Sequence, residues 1–378
     1  MVRVLVFRKR LLAWSETFIA DQCRFMPTST VLPCGVTADA TGKHLLAKLP
    51  QHTILHQGGP KDAYRAWQLK RRGYLSPAWE KRLRHHQPDL IHAHFGPDGL
   101  TALAIKQALN IPLIVTFHGF DICIEQPYNK YRRSMQSIFA QADGIIAVSD
   151  FIAEKLRHHG CPPQKIRQHY IGIQTDFFKQ DHSDRRDIVF VGRMVEKKGC
   201  RDLIEAYLSL QKKHQGQLPH RLRMIGDGTL VDELKKRCHT EKYLRQHVRW
   251  EGRQTPDYIA QALRSAAVFC GPSCSGKDGD AEGLGMVFLE AQASGTPVVS
   301  TLHGGIPEAV EHGTTGLLVD ERRVDTLNTA LDHVLNDDDL RKQMGKAAAQ
   351  RVQSRFDVRK QCEKLERIYR EIVGEFRP

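Results

Sequence analysis

Ala281-Glu282-Gly283-Leu284-Gly285-Met286-Val287-Phe288-Leu289-Glu290-Ala291 lies between two apolar runs of strand character, Ala267–Pro272 and Pro297–Thr301. Gly283 and Gly285 leave a bare backbone just where a helix begins, and Gly295 ends that helix. Strand, glycine-containing loop, helix, strand is the repeating unit of a parallel sheet with crossover helices. The alternation continues outward in both directions. Asp187–Gly192, Arg221–Gly226, Val248–Gly252 and Gly316–Val319 complete one set of strand patterns. Val2–Phe7, Thr53–His56, Asp89–Phe95, Leu113–His118, Gly144–Ser149 and Ile166–Ile171 form another. Two sets of about six predict an α/β protein of two Rossmann-like domains, and 378 residues are too many for one ordinary core.

The expected boundaries follow from composition. Residues 1–172 form the first domain and 173–357 the second, with a polar linker over Gly172–Arg186. A charged amphipathic helix from Val358 closes the chain over 358–378 and is expected to pack back toward the first domain.

Composition excludes several classes. No apolar run approaches the roughly 20 residues of a membrane span. Met1 leads directly into a strand pattern without the stages of a signal peptide, so a cytoplasmic location is expected. The nine cysteines are scattered and lack zinc-site spacing, which predicts free thiols and no metal. Net charge is +13 and uneven: up to Thr175 there are 23 Lys and Arg against 12 Asp and Glu. Such a field attracts an anionic partner. No nucleic-acid module accompanies it, which leaves a membrane face or an acidic acceptor.

Sheets of this kind bind ligands beyond the C-terminal ends of their strands. Gly192-Arg193-Met194-Val195-Glu196-Lys197-Lys198-Gly199 follows one strand pattern, and Arg193 and Lys198 can both address one anion. Lys197 is expected to face solvent. The backbone N–H groups at the start of the helix after Gly285 suit a sugar or phosphate. Glu282 and Glu290 stand about 12 Å apart along the helix axis, too far for a glycosidase pair, but suited to gripping two ends of one elongated ligand.

The run from Pro272 through Glu282, Gly285, Glu290 and Gly295 to Val299, continuing into Gly304-Gly305-Ile306-Pro307-Glu308, resembles the retaining glycosyltransferases of family 4. Gly192-Arg193…Lys198-Gly199, Gly226-Asp227-Gly228 and Thr116-Phe117-His118-Gly119 match the same family in order and spacing. The resemblance implies a GT-B fold, two Rossmann-like domains facing across a cleft. It also implies a nucleotide-sugar donor bound mainly by the second domain, and no metal or other cofactor. Arg193 and Lys198 would then hold the diphosphate and Glu290 the ribose. Glu282 and the segment Gly283, Leu284, Gly285 and Met286 would hold the sugar, and His118 would approach that sugar from the first domain. Gly226 and Arg253 complete the implied donor site, with the base near Arg249–Gln254.

Asp278-Gly279-Asp280 spells a metal-binding pattern, but it sits in a Gly-rich turn inside a metal-free motif, and turn chemistry is the simpler reading. Asp337-Asp338-Asp339 reads as a helix start. The chain departs from the commonest family pattern at Arg8-Lys9-Arg10-Leu11-Leu12-Ala13-Trp14-Ser15-Glu16-Thr17-Phe18, a turn without glycine. Ser15 is expected to cap the following helix. Together with the turn His92-Ala93-His94-Phe95-Gly96, this start is similar to family members that build bacterial exopolysaccharide and O-antigen. Ser15, His94 and Asp121 are the remaining candidates, on the acceptor side.

Tyr64 and Trp67 sit among Lys61, Arg65, Lys70, Arg71 and Arg72, and Trp79 follows among Lys81, Arg82 and Arg84. Aromatics among cations suit either an anionic membrane surface or inward packing. The expected reaction is hexose transfer from a nucleotide diphosphate sugar, UDP preferred over GDP-mannose, to a lipid-linked glycan acceptor at the inner face of the cell membrane. A nucleotide-sugar hydrolase or epimerase, or a non-catalytic nucleotide-sugar-binding protein, are the alternatives.

Overall fold

The computed structural model describes residues 1–124, 129–179 and 185–376. The chain divides into two compact units, Met1–Gly172 with Val358–Pro378, and Ile173–Asp357. Residues 180–184 of the expected linker lie outside the described residues. Before them, Ile173 and Phe178 are buried and Thr175 Oγ1 donates to Asp357 at 2.6 Å.

The first unit holds β1 (Arg3–Leu11), β2 (Thr30–Ala38), β3 (Thr53–Ile54), β4 (Leu90–His94), β5 (Leu113–Phe117), β6 (Gly144–Ala147) and β7 (Ile166–Gln168). They form one parallel sheet in the order β3-β2-β1-β4-β5-β6-β7. Seven strands replace the six expected, the additional one being Thr30–Ala38. Pro33 and Gly35 argue against a strand there, since Pro donates no ladder bond. Here β3 pairs only with Cys34 and Gly35, so the outer side of β2 is an edge at Pro33. β1 is also longer than its apolar core suggests. Arg8, Lys9 and Arg10 belong to the strand, not to the turn, and Arg8 and Arg10 are in register with Gly35 and Thr37.

The second unit holds β8 (Asp187–Val191), β9 (Leu222–Ile225), β10 (Val248–Gly252), β11 (Ala266–Cys270), β12 (Val298–Thr301) and β13 (Gly316–Val319). They form a second parallel sheet in the order β10-β9-β8-β11-β12-β13. In each sheet the order reverses once, between β1 and β4 and between β8 and β11. The C-terminal ends of those strand pairs are the topological switch points at which open α/β sheets bind ligands.

The closing helix Val358–Phe376 belongs to the first unit. Its buried stripe of Leu365, Tyr369 and Ile372 joins the core beneath β1, β4 and β6, at roughly 1.5–3 kcal/mol for each large apolar side chain. Its Glu366 is buried and accepts from Thr28 N at 3.1 Å and Ser29 Oγ at 2.6 Å. Asp337 caps the helix Asp338–Arg355 by accepting from Leu340 N, the role its acidic cluster suggests.

Candidate active site

At the switch point of the second unit, glycines let four loops touch. A Cβ on Gly226 would lie 2.0 Å from the carbonyl oxygen of Gly192, and one on Gly228 would lie 2.4 Å from that of Met194. On Gly199, at φ +63°, a Cβ would fall 1.8 Å from the carbonyl oxygen of Pro272. A Cβ on Gly304 or Gly305 would come within 2.3 Å of the Glu282 carbonyl oxygen or 2.1 Å of that of Gly283. Any side chain at these positions would force the loops after β8, β9, β11 and β12 apart. Gly226 thus has a packing reason to be glycine.

Within this cluster, Lys198 Nζ lies 2.8 Å from Glu282 Oε1. Burial alone would raise the Glu282 carboxyl, but Lys198 and then Lys197 outweigh it and hold the group down to about 2. Lys197 does not face solvent as expected. Its side chain is 11% exposed and its Nζ lies 2.8 Å from Asp280 Oδ2 and 3.7 Å from Glu282 Oε1. Asp280, part of the metal-like Asp278-Gly279-Asp280 pattern, is a partner of Lys197. Gly285, at φ +81°, precedes the helix Met286–Ala293, whose first N–H groups lack intrahelical acceptors. Glu290 is half-buried on that helix. Arg193 is exposed on the loop after β8. Arg253, also exposed, pairs with Asp227 at 3.2 Å.

Two residues that the sequence did not single out hold this loop. His303 Nδ1 lies 2.6 Å from Glu321 Oε1, and its Nε2 accepts from the Glu282 N–H at 3.2 Å. Glu321 also accepts from Ser275 N at 2.8 Å. Burial opposes its charge, yet Ser275 and His303 keep its carboxyl below the usual range. His303 sits one residue before the recognisable Gly304-Gly305 pair, which was the only available signal.

At the switch point of the first unit, β4 and β5 end in His94 and the turn His118-Gly119. Asp121 is buried and accepts from Gly96 N at 3.0 Å and from His118 N and Gly119 N at 2.9 Å each. One carboxylate thereby ties the loop after β4 to the loop after β5. Burial pushes its acid up to about 6 in spite of these donors. His94 Nδ1 meets His118 Nε2 at 3.1 Å. Burial, then the neighbouring imidazoles and Arg8, hold His94 well below the usual histidine range; burial and then Arg8 do the same for His118. Both are therefore neutral near pH 7.

Ser15 is exposed and does not cap the helix Thr17–Phe25; Glu16 occupies the cap position, without a side-chain bond to the helix backbone. Glu16 faces back instead, accepting from Ala13 N at 3.0 Å and pairing with Arg8. Arg8 also binds Asp98 at 2.6 Å and lies 4.3 Å over the Phe95 ring. Strand β1 thus ends in a buried ion network where the commoner family pattern has glycines.

Known proteins divide along the same line. The profile of the family described as "Glycosyltransferase Family 4" matches residues 30–177, and that of "Glycosyl transferases group 1" matches residues 172–351. WcaL of Escherichia coli K12, a glycosyltransferase assigned to colanic acid biosynthesis, is 34% identical over 82% of this chain and 76% of its own length. This chain belongs to the family 4 glycosyltransferases. The matched region spans 60% of WcaL from Salmonella typhimurium, at 36% identity over 64% of this chain. It spans 58% of AmsK, an amylovoran biosynthesis glycosyltransferase of Erwinia amylovora, at 33% identity over 62% of this chain. Among solved structures, Anabaena HepE in complex with UDP-glucose superposes with a TM-score of 0.79 over 98% of this chain and 100% of its own, at 18% identity. The fold is GT-B.

Proposed function

We propose that this enzyme transfers a hexose from UDP-sugar to a lipid-linked glycan acceptor in bacterial surface polysaccharide biosynthesis, with retention and without a metal. The observation that carries the reading is the pairing of Lys198 with Glu282 at the β8/β11 switch point, on the loop that leads into the helix Met286–Ala293. In this reading Lys198 and Arg193 take the diphosphate, Glu290 takes the ribose, and Glu282 with Gly283–Met286 takes the sugar hydroxyls. Arg253 and Gly226 border the base.

In the transfer, the bond between the anomeric carbon and the phosphate oxygen breaks and a bond from that carbon to the acceptor oxygen forms on the same face. The acceptor proton passes to the departing phosphate oxygen, and no protein base is required. Lys198, Arg193 and backbone N–H groups stabilise the charge that develops on the leaving group. His118, neutral and anchored by Asp121, supplies an orienting hydrogen bond to the transferred sugar. UDP is supported by the complexes of HepE with UDP and UDP-glucose, and the polysaccharide role by the names of WcaL and AmsK.

The acceptor side is supported by an exposed aromatic face. Tyr64 and Trp67 stack at 5.8 Å on the helix Gly59–Arg72, with Arg72 5.0 Å over the Trp67 ring. Trp79, by contrast, is fully buried and donates to Asp62 at 3.3 Å. Among the described residues no helix is long and apolar enough to cross a membrane. We propose contact with an anionic membrane surface through the Trp67 face, at the inner side of the cell membrane.

The test is nucleotide release from UDP-glucose, UDP-galactose and GDP-mannose, with and without lipid extract carrying diphosphate-linked glycans, in EDTA. Acceptor-dependent release from a UDP-sugar that survives EDTA is the expected result. Release without acceptor would make the protein a hydrolase, and release abolished by EDTA would overturn the metal-free mechanism.

A further inference from the structure

Lys198 has one ammonium group and, in the proposed reaction, two claimants. Glu282 binds it at 2.8 Å, and a diphosphate needs the same charge. If Glu282 depended on Lys198 alone, each diphosphate contact would strip a buried carboxylate of its only cation, and burial of an unpaired charge is strongly unfavourable. The next residue bears on this conflict.

Lys197 is fixed at both its ends. Its carbonyl oxygen accepts from Cys274 N at 2.8 Å, and the following turn is clamped where Gly199 meets Pro272. Its ammonium lies 2.8 Å from Asp280 Oδ2 and 3.7 Å from Glu282 Oε1. Asp280 is in turn held by a closed loop. Gly276 N donates to Asp280 O at 3.0 Å, and Asp280 N donates to Asp278 Oδ1 at 3.1 Å. The side chains of Lys197, Lys198, Asp280 and Glu282 are 11, 15, 16 and 10% exposed. Two cations and two anions therefore share a poorly hydrated volume, and their charges balance.

We propose that Lys197, anchored on Asp280, is a positioning residue that keeps Glu282 charged and in place, so that Lys198 can serve the diphosphate. The inference rests on the donor-site reading above. It gives Asp278-Gly279-Asp280 a purpose that needs no metal: the turn aims a carboxylate at Lys197. It also separates the adjacent lysines by task. Lys198 touches the ligand, whereas Lys197 acts through Glu282.

The test is calorimetric titration of UDP and GDP into the full chain and three variants. Lys197→Met removes the second cation, so Glu282 holds Lys198 more firmly and affinity for the diphosphate falls by about tenfold, the worth of one charge-assisted bond. Glu282→Gln releases Lys198, and because UDP and GDP carry no sugar for Glu282 to hold, their affinity rises. In the double variant Lys197→Met/Glu282→Gln the loss disappears, and affinity returns to within about twofold of Glu282→Gln alone, since the two sites couple only through Glu282. A variant that merely folds poorly would not be rescued by a second substitution. If the wild-type protein binds and Lys197→Met binds equally well, or if Glu282→Gln fails to relieve the loss, the positioning role is wrong and the donor site stands. If the wild-type protein binds neither nucleotide, the donor-site reading itself is wrong and this inference falls with it.

Discussion

His94 Nδ1 lies 3.1 Å from Nε2 of His118, so the proton between the two imidazoles decides what His118 presents. Nε2 of His94 is buried and has no hydrogen-bond partner among the described residues. An orphaned buried N–H is rarer in folded proteins than an under-satisfied acceptor. The proton therefore sits on His94 Nδ1 and is donated to His118 Nε2, which leaves His118 protonated at Nδ1. Replacing His94 by Leu removes this donor and is expected to lower turnover roughly tenfold while leaving nucleotide affinity unchanged, the cost of about one hydrogen bond in the barrier. His94→Asn, whose amide can donate from the Nδ1 position, should recover most of the rate. Turnover and nucleotide titrations on both variants check this, and equal loss in the two would remove the tautomer argument.

Acid should destabilise the first unit well before its carboxylates are neutralised. His92 is held between Tyr369 Oη at 2.7 Å and Thr116 Oγ1 at 2.6 Å, and burial lowers it to about 3. His169 donates from Nε2 to the carbonyl of Gln361 at 2.8 Å, and burial lowers it to about 4. Both folded values lie below the unfolded one near 6.5, so the stability they contribute is present above about pH 6.5 and is lost as pH falls toward 4 and then 3. Each histidine adds a slope of up to about 1.4 kcal/mol per pH unit. Asp121, raised to about 6, works the other way: its contribution is present below about pH 4 and lost as pH rises through 6. The net expectation is a melting temperature that falls between pH 6.5 and 5. His169→Gln, which keeps the bond to Gln361 without a titrating ring, should flatten that fall. A melting temperature independent of pH over this range would contradict the assignment.

The Trp67 face makes a separate prediction. Basic residues near an anionic leaflet contribute about 1 kcal/mol each, and interfacial aromatics add apolar burial. The protein is expected to sediment with phosphatidylglycerol vesicles at low salt and to be released by high salt. Arg71→Glu with Arg72→Glu should weaken the association by at least about tenfold, and Trp67→Ala should weaken it less. Protein that stays in the supernatant at low salt would remove the membrane from the proposal.

What the sequence disclosed and what it hid follow from contact range. The strand-loop-helix run around Glu282 is legible because glycines and periodicity are local signals. Val358–Phe376 is legible because an amphipathic stripe repeats along one helix. Lys197 and Lys198 look alike locally, and it is Asp280 and Glu282, more than eighty residues away, that turn Lys197 inward. Ser15 looked like a cap because the true partner of its neighbour Glu16 is Arg8, and Arg8 is fixed by Asp98 ninety residues on. β2 was hidden by Pro33, whose tolerance depends on how little of β2 is covered by β3.

The imidazole of His303 bridges two loops, and its two nitrogens can be replaced one at a time. Nδ1 donates to Glu321 Oε1 at 2.6 Å, while Nε2 accepts from Glu282 N at 3.2 Å. Asparagine places an amide near Nδ1 and can keep the Glu321 bond, but it leaves the Glu282 N–H buried without an acceptor, at a cost of about 1–3 kcal/mol. Glutamine reaches the Nε2 position and can keep the Glu282 bond while giving up the other. If His303 serves to aim Glu282 at the sugar, His303→Asn should lower turnover about tenfold or more. His303→Gln should stay close to wild type, with UDP affinity preserved in both. The two variants should melt within a few degrees of each other, because each retains one of the two bonds. Equal activities would show that His303 only packs the loops together, and the reverse order would place the important contact at Glu321.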